Sequence, residues 1–235
     1  MDSLAALLSE KKIHLSDTQI LQFHRYYELL VEWNEKMNLT AITDQKEIEI
    51  KHFFDSLTPS FYFSIQNVKT ICDVGSGAGF PGIPLKILFP SLDLTIIDSL
   101  KKRLTFIQAV ADTLDLDQIT LCHDRAEDFA HKPDFREHFD LVTARAVARL
   151  SVLSEYCLPL VRMGGMFLAL KGSNAGEELQ QADHAIAELG GRLIKTVSLN
   201  LPDNSGKRTL IRIDKIRPTP DKYPRKSGIP MKKPL

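Results

Sequence analysis

Three glycines at alternate positions, Gly75, Gly77 and Gly79, lie in Asp73-Val74-Gly75-Ser76-Gly77-Ala78-Gly79-Phe80-Pro81-Gly82, directly after the apolar run Val68 to Cys72. Glycine lets a chain turn sharply and lets a ligand approach the backbone where a Cβ would obstruct it. Pro81, which has no amide hydrogen to satisfy, suits the first turn of a helix leading out of the loop. A buried strand ending in an acid, a glycine loop and a following helix together make a binding site for a nucleotide-type cofactor.

Two registers of that loop are open. Gly75, Gly77 and Gly79 form the GxGxG of methyltransferases that use S-adenosylmethionine, and Gly77, Gly79 and Gly82 form the GxGxxG of dinucleotide enzymes. Other candidates sit where later apolar runs end. Ile96-Ile97-Asp98 offers a carboxylate to a ribose diol, and the same Asp98 can cap the helix that starts near Leu100. Cys122-His123-Asp124-Arg125-Ala126-Glu127 stands where adenine contacts are expected, with the side chains of Glu127 and Asp128 read as ordinary first-turn acids. Arg145 and Arg149 follow the fourth run and Lys171 the fifth, so three cations at strand ends favour an anionic substrate. His52 and Asp55, three apart on a helix, share a face and suit either acid–base work or a structural hydrogen bond. The chain has no CxxC zinc pair, no HExxH helix and no nucleophile elbow, and no metal site is expected. It also lacks the Asn or Asp, Pro-Pro and aromatic box with which many amino-methylating enzymes orient an exocyclic amine.

The elements that must position these residues follow from periodicity. Ser16-Asp17-Thr18-Gln19 is a capping box, and the apolar spacing after it predicts a helix through Asn34, preceded by one over about Ser3 to Lys12. Asp44 caps a further helix carrying Ile48, His52, Phe53 and Leu57, stopped by Pro59. Short apolar runs near 68–74, 92–97, 119–122, 139–143 and 165–170 then alternate with helix-compatible stretches near 81–89, 99–114, 126–132, 150–163 and 174–189. Right-handed βαβ crossovers and a mostly parallel sheet follow from that alternation. Leu193 to Leu199 and Thr209 to Ile216, joined by a polar turn, predict an antiparallel hairpin at the end of the sheet. The last stretch, Arg217 to Leu235, holds five prolines and is expected to be an extended arm. The division expected is a helical N-terminal region over 1–60, an α/β core over 61–216 and a basic, proline-rich arm over 217–235.

With 43% hydrophobic and 26% charged residues, the chain has the composition of a globular protein, and no apolar stretch approaches the roughly 20 residues that span a bilayer. The N-terminus lacks the basic start of a secretory signal, and Cys72, Cys122 and Cys157 are odd in number and widely spaced, which reads as reduced thiols in the cytoplasm. A net charge of zero conceals a gradient: residues 1–60 carry −4, residues 61–190 carry −5, and residues 191–235 carry +9. A basic end on an acidic body favours contact with phosphates.

The sequence closely resembles the RsmG family, also called glucose-inhibited division protein B. The resemblance runs through Trp33-Asn34-Glu35-Lys36-Met37-Asn38-Leu39-Thr40, His52-Phe53-Phe54-Asp55-Ser56-Leu57, Asp73 through Pro84, Arg125-Ala126-Glu127, Ala144-Arg145-Ala146 and Leu170-Lys171-Gly172. It implies a class I methyltransferase fold, a Rossmann-like, seven-stranded, mostly parallel sheet with a helical N-terminal extension, and it selects the first glycine register. It implies S-adenosyl-L-methionine as cofactor and, as substrate, N7 of one guanine of bacterial 16S ribosomal RNA, position 527 in conventional rRNA numbering, within the 530 loop. By resemblance, Gly75 and Phe80 contact the cofactor, Ala126 and Glu127 border its adenine, and Arg145 lies by the cofactor and the target base; its catalytic role is read as orienting that base. Gly77 and Asp98 are added here as cofactor contacts. Arg149, Lys171, Lys207, Arg208, Arg225 and the arm are expected to follow the backbone of 16S rRNA, free or within a small-subunit particle, with no membrane and no obligate protein partner. A nicotinamide-dependent oxidoreductase and a non-catalytic RNA-binding protein are the competing readings.

Overall fold

The computed structural model describes residues 1–235, apart from the side chain of Asp2. The chain opens with helices α1 (Asp2–Ser9) and α2 (Asp17–Met37). The capping box forms as its residues dictate: the Ser16 side chain accepts from the Gln19 amide while the Gln19 side chain accepts from the Ser16 amide. Asp44 likewise caps α3 (Gln45–Ile48), which continues through a π-helical stretch, Glu49–Phe54, into α4 (Asp55–Leu57). Pro59 does not simply end this run. It occupies the first turn of α5 (Pro59–Tyr62), a position that requires no amide hydrogen.

The core alternates β1 (Thr70–Val74), α6 (Gly82–Leu88), β2 (Asp93–Asp98), α7 (Lys101–Thr113), β3 (Ile119–His123), α8 (Ala126–Phe129), β4 (Phe139–Arg145), α9 (Leu150–Cys157), β5 (Val161–Lys171), α10 (Ala175–Glu188), β6 (Gly191–Asn200) and β7 (Lys207–Lys215). The seven strands are ordered β3-β2-β1-β4-β5-β7-β6. Strands β1 to β5 pair in parallel, and β7 runs antiparallel to both β5 and β6. The hairpin therefore inserts its second strand beside β5 and leaves β6 at the edge. Strand order reverses between β1 and β4, and in such sheets ligands bind beyond the carboxyl ends of the strands at that point.

Two boundaries differ from the periodicity. α9 ends at Cys157, and after a single 3-10 turn β5 begins at Val161, ahead of the expected start. A bulge between Phe139 and Leu141 accommodates the early pairing. A Cβ at Gly165 would stand 2.8 Å from the Asp140 carbonyl oxygen, so a glycine permits this close strand approach. The N-terminal helices are not separate from the sheet: Leu4, Phe23, Tyr26, Leu30 and Phe53 share one buried cluster with Ile83, Leu94 and Phe106.

The C-terminal segment is not an extended arm. It folds back on the core and ends in a short helix, α11 (Ile229–Lys232). Tyr223 is buried, and the backbone carbonyls of Thr219 and Tyr223, which no ladder satisfies, accept from the Arg136 guanidinium at 2.9 Å. Arg225 forms a bidentate pair with the fully buried Glu155, with contacts of 2.9 and 2.7 Å. Prolines forbid a strand here, yet they leave side chains free to pack and carbonyls free to be capped.

Candidate functional site

At the carboxyl end of β1, Asp73 organises the glycine loop. Its fully buried carboxylate accepts from the Ser76 hydroxyl at 2.6 Å, from the Gly82 amide at 2.8 Å and from the Thr143 hydroxyl at 3.3 Å. Burial pushes the Asp73 carboxyl up to about 6 against the opposing pull of those donors. Gly75, Gly77 and Gly79 have φ of +71°, +64° and +94°, left-handed backbone that side chains disfavour. A Cβ at Gly75 would meet Val147 at 2.7 Å, whereas one at Gly77 would have no atom within 4 Å. Gly77 instead directs its amide at Oδ2 of Asp98, 3.1 Å away. The other Asp98 oxygen accepts from the Leu100 amide at 2.8 Å, so the carboxylate both joins loop to strand and caps the turn into α7.

Of these groups Gly75 and Asp98 line a cavity of about 370 Å³, whose walls also include Ala126, Glu127, Tyr156 and Met231. Glu127 is more than a first-turn acid: its carboxylate accepts from the Gly228 amide at 2.8 Å, while Asp128 accepts from the Ser227 hydroxyl. The C-terminal segment thus completes the wall nearest α8. The positive-φ glycines, the open space over Gly77 and the carboxylate at the end of β2 fit an adenosyl ligand laid along the strand ends. Phe80 and Gly77 do not line this cavity. Phe80 is 6% exposed and stacks with His52, ring centroids 4.7 Å apart, with the Arg145 guanidinium 5.0 Å from its centroid.

A second cavity, about 560 Å³, adjoins the first, and Ala146 lines both. Its charged walls are Lys51, Asp55, Arg145, Lys171, Glu178 and Arg208. The π-helical stretch delivers Lys51 and His52 to this wall, as such irregularities often do at functional sites. Arg145, at the end of β4, donates to Oδ2 of Asp55 at 3.1 Å, and Arg208 donates to the same oxygen at 3.0 Å. His52 contacts the Thr40 hydroxyl at 2.8 Å, and the Thr40 amide donates to Oδ1 of Asn34 at 2.8 Å. Burial first, then the Arg145 charge, lowers His52 from 6.5 to about 4, so its imidazole is neutral near pH 7. Lys171 reaches the Ala148 carbonyl at 2.7 Å and Glu178 at 2.6 Å. Arg149 and Lys207 are exposed, and Arg225 is held by Glu155.

Several contributors carry no signal of their own in the sequence. Ala146 turns at φ +57° where the cavities meet, and Met231 arrives from a segment far along the chain. Asp73 was legible only as the acid ending a strand.

The model of the family described as rRNA small subunit methyltransferase G matches residues 19–209. The chain belongs to this family. Proteins named ribosomal RNA small subunit methyltransferase G are 57% identical over 232 residues in Staphylococcus aureus strain Newman, covering 99% of this chain and 97% of the relative. The one from Exiguobacterium sibiricum is 55% identical over 228 residues, covering 97% and 96%. Among solved structures, an O-methyltransferase from Bacillus cereus in complex with SAH superposes with a TM-score of 0.58 at 15% identity, over 80% of this chain and 90% of that one. The YcgJ protein from Bacillus subtilis gives 0.54 at 12%, over 71% and 100%. At these identities the structural matches bear on the fold, which is the class I methyltransferase fold. The family chain described here is an S-adenosylmethionine-dependent methyltransferase, and among the described residues no helix is long and apolar enough to cross a membrane.

Proposed function

We propose that this chain methylates N7 of one guanine of bacterial 16S rRNA, position 527 in conventional numbering, in the cytoplasm. The observation that carries this reading is the pair of adjoining cavities meeting at Ala146, with the first shaped for an adenosyl group and the second carrying Lys51, Arg145, Lys171 and Arg208 against the carboxylates of Asp55 and Glu178. The bound cofactor supplies an electrophilic methyl group on a sulfonium. Guanine N7 bears an in-plane lone pair and no hydrogen, so attack requires no general base. The chain's contribution is then placement and electrostatics. Asp98 would hold the ribose diol, Gly75, Gly77 and Phe80 the methionine side, and Ala126 and Glu127 the adenine. Arg145 would orient the base at the junction of the cavities, while Arg149, Lys171, Lys207 and Arg208 would follow the RNA backbone. A labelled-methyl assay on naked 16S RNA, on precursor particles and on small subunits, with the modified nucleotide mapped, tests the reading. The expected product is 7-methylguanosine, formed at a chemical rate that is flat above neutrality, because attack by N7 needs no base, burial lowers His52 to about 4, and the Asp73 carboxyl, raised only to about 6, is already ionised there. A methyl group on another atom, or a rate that follows a group titrating near neutrality, overturns it.

Arg225 is left out of the proposed RNA surface because Glu155 engages its guanidinium and, unlike Lys171 and Arg208, which are also paired, it lines neither cavity. Replacing Arg225 by alanine leaves the fully buried Glu155 carboxylate with the residue-225 backbone amide as donor but no countercharge, and the expected loss is about 3 kcal/mol of folding stability, at the lower end for a broken buried pair. Denaturant unfolding reads this directly. The salt dependence of RNA affinity should stay at the wild-type slope, since no phosphate contact is removed. A flatter slope with unchanged stability would return Arg225 to the RNA.

A further inference from the structure

Asp55 occupies an unusual position in the larger cavity. Its side chain is 3% exposed, and both arginine contacts fall on one oxygen, Oδ2. The other, Oδ1, is buried and has no hydrogen-bond partner. A buried carboxylate oxygen without a donor is costly, and its presence in a substrate cavity calls for a donor that the protein does not supply. The cations around it suit phosphates, but a phosphate cannot donate to a carboxylate. A base can.

We propose that Asp55 recognises the Watson–Crick edge of the target base and thereby selects guanine, an inference that rests on the function proposed above. Guanine alone presents two adjacent donors there, N1–H and the N2 amine. Adenine and cytosine place a ring-nitrogen acceptor beside their amine, which repels a carboxylate, and uracil flanks its single N–H with two carbonyls. The terminal torsion of an aspartate is broad, so Oδ1 can be turned toward a base without leaving a favourable rotamer, with Arg145 and Arg208 following Oδ2 as it tilts. Guanine held by that edge directs N7 away from Asp55, which lines only the larger cavity, and toward the junction at Ala146. Asp55 also addresses the electrostatic difficulty of the site. Methylation makes the purine ring cationic beside Arg145 and Arg208, and it makes N1–H more acidic. The hydrogen bonds to Asp55 therefore strengthen as the methyl transfers, an interaction greater in the transition state than in the ground state. Asp55 is assigned no proton transfer.

Single-turnover methylation of small subunits assembled with either guanine or inosine at the target position tests this. Inosine keeps N7 and N1–H and lacks only the N2 amine. Wild-type protein should prefer guanine by about 10- to 100-fold, the effect of one hydrogen bond to a charged group. Asp55→Asn, checked for fold by circular dichroism and for cofactor affinity by calorimetry, should lose rate on guanine and show a guanine-to-inosine ratio within a few-fold of one. A merely structural role for Asp55 would lower both rates equally and leave the ratio intact, which refutes the proposal. Equal wild-type rates on the two bases refute it as well, whatever the stability of the variant. If wild-type protein leaves N7 of guanine unmethylated, the underlying function fails and this inference falls with it, an outcome distinct from a lost base preference.

Discussion

Replacing Arg145 by lysine is expected to lower the single-turnover methylation rate by at least about 100-fold at saturating RNA and cofactor, or about 3 kcal/mol, the size of removing one well-placed electrostatic contact. The side chain is 14% exposed and makes two kinds of contact together: Nη1 donates to Asp55 while the guanidinium plane lies 5.0 Å from the centroid of Phe80. A planar fork can satisfy a carboxylate and cover an aromatic ring at once; an ammonium is a compact point charge that cannot do both. Charge is conserved in this substitution, so a rate loss isolates geometry from electrostatics at long range. Rapid-quench measurement decides the matter. Activity retained in Arg145→Lys together with activity abolished in His52→Gln would shift the chemistry to base-assisted methylation of another atom.

Gly77→Val should weaken S-adenosylmethionine binding by at least about 100-fold, measured by calorimetry on folded protein, because a branched side chain enters the space a glycine turn leaves for ligand approach. The open surroundings of Gly77, with no atom within 4 Å of a built Cβ, keep the substitution from clashing with the protein itself. Its cost in stability comes from φ of +64°, about 1–2 kcal/mol for a left-handed residue bearing a Cβ. Gly79→Val provides the contrast. There a Cβ would stand 2.6 Å from the Tyr26 hydroxyl and 2.8 Å from Ile83, so the helical N-terminal region and α6 would have to separate. The first variant should fold and fail to bind; the second should lose stability first. Near-normal affinity in Gly77→Val would mean that this part of the loop faces no ligand.

The alternation of short apolar runs with amphipathic stretches was sufficient to place the strands, since a parallel strand buried on both faces reads as a continuous apolar segment wherever it occurs. Local chemistry also placed the caps at Ser16 and Asp44 and the turn at Gly75 to Gly79, because those signals are satisfied within a few residues. Each strand-end candidate, Asp98, Arg145 and Lys171, falls where a parallel sheet must expose its ligand side, and family resemblance supplied the cofactor and the substrate class. Side-chain roles were another matter. Free cations cannot be told from paired ones along a sequence: Arg208 and Arg145 meet Asp55 across separations of 153 and 90 residues, and Arg225 meets Glu155 across 70. The π-helical turn at Glu49–Phe54 is likewise invisible to a periodicity near 3.6, and the prolines after Arg217 excluded a strand without revealing that the segment folds back to the wall of the adenosyl cavity. What the sequence determined by itself is the strands and helices of the α/β core and the end of the sheet where ligands lie, because both follow from interactions local to the chain. What only the tertiary structure decided is which charges neutralise one another and which oxygen of Asp55 is left without a donor, because desolvation and pairing depend on neighbours that folding brings together from distant positions.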